Sequence, residues 1–224
     1  MSSTTVAGHD GHAHGDHHDL FPHDYPVDAH FGQATMGKIG MWIFLLSDAF
    51  SFGGLLLGYG ILRGGANEWI HKDEPALGIN FTAGLTFVLI CSSVTMVLAY
   101  AAQVEKDRKK TLMWLGLTIL GGVLFLCGQM QEYFGAFHWL TGSEGLVAEG
   151  LHFGQSHRAT TFYCITGFHG MHVTTGVLYL SVMWLRTAMG KYDNGNYNHL
   201  EVAGLFWHFV DLVWILVFTF VYLI

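Results

Sequence analysis

Five apolar runs of roughly twenty residues, set between residue 40 and the last residue, 224, constrain this chain more than any other feature. A helix of that length crosses ~30 Å of hydrocarbon at 1.5 Å per residue. The runs cover about Gly40–Leu62, Gly78–Gln103, Leu112–Phe134, Thr160–Leu185 and Leu200–Ile224. Hydrophobic residues make up 51% of the chain and charged ones 12%, where a soluble domain carries about 25% charged. The expectation is an all-α, polytopic membrane protein: a five-helix membrane domain over residues 38–224, preceded by a disordered arm over residues 1–37.

The arm is rich in His, Asp and Gly and holds five of the acids, Asp10, Asp16, Asp19, Asp24 and Asp28, which accounts for much of the net charge of −7. Such a composition cannot bury enough apolar surface to order itself. His9, His12, His14, His17 and His18 sit close enough to bind a divalent metal weakly; the plainer expectation is a flexible polar arm without a bound metal. No basic patch with interleaved aromatics is present, so nucleic acid is not an expected partner. Cys91, Cys127 and Cys164 lie inside apolar runs without metal-ligand spacing and read as small core residues.

Orientation follows from the basic residues. With five spans, one side holds Lys38, Lys106, Arg108, Lys109, Lys110, Arg186 and Lys191, and the other Arg63, Lys72 and Arg158. Seven against three places the N-terminus in the cytoplasm and the C-terminus outside. The connector from Glu105 to Lys110 is short, and residues 135–159 read as an irregular surface loop.

Ionisable residues inside spans are rare and mark polar sites. Here they are Asp48, Glu132, His169, His172, Glu201, His208 and Asp211. At 1.5 Å per residue Asp48, His172 and Asp211 all lie ~15–18 Å deep, near one mid-membrane level. Desolvation disfavours a charged carboxylate there. Asp48 reads either as a proton-accepting acid or as a neutral carboxyl bonded to Ser47, Ser51 or a neighbouring helix. His169 and His172 are about 60° apart on one helix face, so they cannot be opposite axial ligands of one haem. Gly167 and Gly170 permit close helix approach, and Thr166, Thr174 and Thr175 offer hydrogen-bond partners. Helix packing or a lipid contact is the plain reading; metal ligation and proton relay stand beside it. Glu201, Gly204, His208 and Asp211 form a polar stripe on the last span. Glu132, near the outer end of the third span, either anchors a head group, pairs with Arg158 or faces water. Gly54 and Gly58 form a small-xxx-small pair that predicts tight packing.

Three strings, taken together, resemble one family. KIGMWIFLLSD, from Lys38 to Asp48, is similar to the opening of the third helix in subunit III of haem–copper oxidases. ITGFHGMHVTTG, from Ile165 to Gly176, resembles its TGFHGxHV signature, and EVAGLFWHFVDLVW, from Glu201 to Trp214, its WHFVDxVW signature. The resemblance spans Lys38 to Ile224. It implies a non-redox accessory subunit of a proton-pumping respiratory oxidase that reduces O2 to water. Haem and copper then sit in partner subunits, and this chain contacts subunit I, with subunit II and other respiratory-complex subunits as neighbours. Bound phospholipid, support of proton uptake and a bacterial inner-membrane location follow from the same resemblance. Asp48 matches the family's intramembrane acid, commonly a glutamate that reacts with hydrophobic carbodiimides. The match is to a five-helix form, without the two-helix unit and lipid cleft wall of seven-helix members. Cytochrome c oxidase is the expected complex. A quinol oxidase, a nitric oxide reductase relative, a b-type cytochrome using His169 or His172 with His208, and a stand-alone proton channel are the rival readings.

Overall fold

The computed structural model describes residues 36–66, 69, 77–137, 139, 142, 144–190 and 198–224. The arm with its five clustered histidines, most of the connector between the first two helices and the 191–197 connector lie outside the described residues. Five long helices make up the rest: α1 (Met36–Gly65), α2 (Ile79–Val104), α3 (Arg108–Phe134), α4 (His157–Ala188) and α5 (Asn198–Val217). The last continues as a π-helical turn, Phe218–Leu223. Among the described residues there is no strand. In hydrocarbon every backbone amide must find its partner within the segment, and helices satisfy that requirement.

Four helices are long and apolar enough to cross a membrane: Gly37–Gly65, Ile79–Val104, Arg108–Phe134 and Asn198–Leu223. α4 is the longest, at 32 residues, but less apolar because its inward face carries Thr166, His169, Gly170, His172 and Gly176. That face packs on α3, α5 and α1. α5 touches α1, α2 and α4, so it forms the centre of the bundle.

Trp207 of α5 is the main wedge. Its ring is 1% exposed, and its Nε1 donates to Ser92 Oγ of α2 at 3.2 Å. A Cβ added at Gly122 of α3 would stand 2.6 Å from the indole, and one at Gly176 of α4 would stand 2.9 Å from it. Three helices therefore close around one ring because two of them present no side chain there.

The helix ends explain where the predicted spans needed correcting. Lys106 adopts φ 60°. Its amide bonds Gln103 O at 3.0 Å, and the Asp107 amide bonds Ala102 O at 3.0 Å. This is a Schellman stop with lysine at the left-handed position usually held by glycine. Asp107 then caps α3, accepting from the Lys110 amide at 3.2 Å. Arg108, Lys109 and Lys110 thus belong to the first turn of α3 and not to a connector. α3 ends at Gly135, φ 61°, where a Cβ would run into the Glu144 backbone. The following segment folds back, with Leu146 and Leu151 buried, so it is not wholly a surface loop.

Two packing expectations fail. Added Cβ atoms at Gly54 and Gly58 meet nothing within 4 Å, because α1 docks through the opposite stripe of Leu45, Asp48, Phe52 and Tyr59. Gly167 likewise meets nothing, whereas Gly170 lies against Gln129. Cys91 and Cys164 are exposed on the outer faces of α2 and α4, not in the core.

Two outcomes are expected. Gly122→Leu drives carbons into Trp207 and Val177, and overpacking of this kind costs about 1–3 kcal/mol; thermal unfolding of the purified complex measures it as a lower midpoint. The Lys110 amide and side chain hold the Asp107 carboxyl below the usual carboxylate range. Its cap therefore contributes fully above the unfolded value near ~3.9 and fades as pH falls through the lower folded value. The protection factor of the Lys110 amide, its exchange rate divided into the intrinsic rate at each pH, should fall with acid in the native chain, while in Asp107→Ala it should be low at every pH.

Candidate functional site

Asp48 lies on the buried stripe of α1, and His172 faces it from α4. The Oδ1–Nε2 separation is 3.1 Å. The imidazole Nδ1 lies 2.8 Å from the Phe168 carbonyl oxygen, one turn earlier on α4. Asp48 is 7% exposed and His172 9%. Of the partners predicted for Asp48, the neighbouring helix is the one used, since the Ser51 hydroxyl donates to the Ser47 carbonyl at 3.2 Å. Phe52 stands edge-on to His172, with ring centres 5.3 Å apart. A groove of about 410 Å³, open on the side between α1 and α4, reaches His172; Met41, Phe44, Met171, Thr175 and Phe206 line it with that ring.

The sequence placed His169 beside His172, yet the two rings have different surroundings. His169 is fully buried. Its ring stacks on Trp214 at 4.8 Å and meets Phe125 edge-on at 5.7 Å. Neither ring nitrogen has a hydrogen-bond partner among the described residues. His208 turns the other way, to Ser93 Oγ of α2 at 2.6 Å. The histidines are therefore not brought to one pocket: His172 is committed to α1, His208 to α2, and His169 is enclosed by aromatic rings. Among the described residues no three His, Cys, Asp or Glu side chains gather as metal ligands.

The polar stripe of α5 serves two neighbours. Glu201 pairs with Lys38 Nζ at 2.8 Å, tying α5 to α1 at their N-terminal ends. Asp211 is buried beside Ser93 of α2, and its Oδ1 has no hydrogen-bond partner among the described residues. Asp48 and His172 meet, as their depths predict, whereas Asp211 lies beside Ser93 of α2 and not at the pair.

Glu132 corrects the sequence reading most. It is 8% exposed, so it does not face water. Tyr222 donates to its Oε2 at 2.9 Å, and Thr82 donates to its Oε1 at 3.2 Å. The π turn brings the Tyr222 hydroxyl to the carboxyl group. Beside it, Gln129 Nε2 donates to the Thr166 carbonyl at 2.7 Å, and the Tyr133 hydroxyl donates to Thr166 Oγ1 at 2.5 Å. Gln129, Glu132 and Tyr133 recur at helical spacing inside an apolar run, a signal that could have found this second polar layer. Tyr222 could not be found that way, because the π turn shifts its direction. Thr174 and Thr175 bond carbonyls of their own helix, at 2.8 and 3.0 Å, instead of reaching across.

Five long helices that enclose two hydrogen-bonded polar layers define a polytopic helical membrane protein whose polar groups join helix to helix. The family profile described as cytochrome c oxidase subunit III matches residues 27–224, and the chain belongs to that family. It is 36% identical to cytochrome c oxidase subunit 3 of Synechocystis sp. over 87% of this chain and 78% of the relative. It is 33% identical to the protein of that name from Thermostichus vulcanus, over 83% and 86%. The Alkalihalophilus pseudofirmus protein of that name is 33% identical over 88% and 93%. The chain is thus a subunit of an oxidase complex and works with other oxidase subunits.

Tyr222→Phe leaves a buried carboxyl oxygen without its donor. The expected cost is about 1–2 kcal/mol, read as earlier thermal release of this subunit from the purified oxidase; Tyr133→Phe should add to it less than independently, since both act in one layer.

Proposed function

We propose that this chain is the non-redox accessory subunit III of a proton-pumping respiratory haem–copper oxidase of the cytochrome c oxidase type. The observation that supports it most is the family match over 27–224, which takes in both polar layers. In this reading haem and copper belong to partner subunits, and the chain docks chiefly on subunit I, with subunit II nearby. It lies in a bacterial inner membrane. Seven basic residues on one side against three on the other support a cytoplasmic N-terminus and a periplasmic C-terminus. α4 is the fifth span, its polar residues turned inward, so residues 38–224 form one membrane domain behind the arm of residues 1–37.

The site residues divide by role. Asp48 is the intramembrane acid that supports proton uptake and sustained turnover by the complex. Glu132, His169, His172, Glu201, His208 and Asp211 hold helices in register. Phospholipid packs along the apolar outer faces, where Trp42, Phe50 and Phe87 are exposed and hydrocarbon is their natural surrounding.

Gentle purification through a tag on this chain tests the assembly. A haem-bearing subunit I, subunit II and oxidation of reduced cytochrome c are the expected results; quinol oxidation without cytochrome c oxidation would move the chain to a quinol oxidase. In the assembled enzyme, Asp48→Asn should lower proton uptake and shorten the active lifetime during turnover. Unchanged pumping and lifetime would reduce Asp48 to a packing residue.

A further inference from the structure

His172 is held at both ring nitrogens. Nδ1 lies 2.8 Å from the carbonyl oxygen of Phe168. A carbonyl oxygen only accepts, so Nδ1 carries a hydrogen. Nε2 lies 3.1 Å from Asp48 Oδ1. A bare imidazole nitrogen and a bare carboxylate oxygen would repel at that distance, so one proton stands between them. It rests either on the nitrogen, as an imidazolium–carboxylate pair, or on the oxygen, as a carboxylic acid donating to a neutral imidazole.

The surroundings favour the second arrangement. Asp48 Oδ2 accepts no hydrogen bond from the described residues. In an ion pair that oxygen would hold part of a buried charge with no donor, the costliest way to bury a carboxylate. In the acid it is an uncharged carbonyl oxygen, and its missing partner costs far less. The rings of Phe52 and Phe168 lie 5.3 and 4.7 Å from the imidazole, and neither supplies an anion to hold an imidazolium. The groove beside the pair is apolar.

We infer that Asp48 and His172 form a one-proton pair, in which a neutral Asp48 carboxyl group donates from Oδ1 to Nε2 of His172, itself held as the Nδ1–H tautomer by Phe168. His172 is then the positioning residue for the acid. It turns the acidic hydrogen toward α4. The functional meaning of the proton rests on the reading of Asp48 given above; its position does not. An asparagine amide donates to Nε2 in the same way, so Asp48→Asn keeps the tie between α1 and α4, whereas Asp48→Ala loses it.

The test is spectroscopic and uses the assembled oxidase. The infrared difference between the native enzyme and Asp48→Asn should contain a carboxylic acid C=O band belonging to Asp48. His172→Phe should leave that band in place but shift it to higher wavenumber, as the acid loses its acceptor. In ¹⁵N-histidine-labelled enzyme the His172 signal, assigned by its loss in His172→Phe, should show Nδ1 protonated and Nε2 bare, and should keep that pattern in Asp48→Asn. Carboxylate bands in place of the acid band, a doubly protonated His172, or an Nε2–H tautomer would each overturn the inference. If His172→Phe does not assemble, selective labelling with His172→Gln supplies the assignment. An acid band combined with unaltered turnover in Asp48→Asn would remove the proton-uptake role and leave the pair standing.

Discussion

The bundle depends on the absence of water to satisfy its polar groups. In a soluble protein a stray carboxyl or imidazole can be solvated; at mid-membrane depth it is costly without a partner in the protein, and His169 is enclosed by aromatic rings instead. Asp48 finds His172, His208 finds Ser93, and Glu132 finds Tyr222 and Thr82. Each contact crosses from one helix to another. Burial of apolar surface cannot hold helices together in lipid, since the tails outside are equally apolar. The polar contacts and the close packing around Trp207 therefore provide the specificity of the arrangement.

The two polar layers differ in character. The one around Glu132 draws on α2, α3, α4 and the π turn, and nearly all its groups are hydrogen-bonded. The one around Asp48 leaves one carboxyl oxygen without a partner among the described residues and adjoins, at His172, the groove between α1 and α4. A closed network rigidifies what it joins. A partly open one beside a membrane-facing groove has room to respond to what occupies that groove. The sequence signature that spans Ile165–Gly176 serves both layers: Thr166 bonds Tyr133, while His172 bonds Asp48.

Much of this was legible before any coordinates. Apolar run lengths located all five helices, and helical rise placed Asp48 and His172 at one depth, which is why they can meet. Depth says nothing about azimuth, so the same argument also grouped Asp211 with them, although Asp211 faces α2. Side-chain chemistry predicted that Glu132 was costly to bury, but its donors lie 50 and 90 residues away in sequence, and one of them stands on a π turn that helical periodicity does not foresee. Small-residue spacing was the least informative signal. Gly122 and Gly176 belong to no glycine pair at four-residue spacing and admit the indole; Gly54 and Gly58 form such a pair, and a Cβ added at either meets nothing within 4 Å. A glycine pattern names a surface without naming what lies against it.

The wedge made by Trp207 has a consequence for assembly. The ring belongs to the final helix, and the two bare patches that receive it, Gly122 and Gly176, belong to helices synthesised earlier. Until α5 enters, α3 and α4 face each other without the object that spaces them, and Ser92 lacks the indole it holds. Gln129 and Tyr133 already tie α3 to α4, and Asp48 ties α1 to α4; the last helix adds the ring that sets how closely α3 and α4 approach.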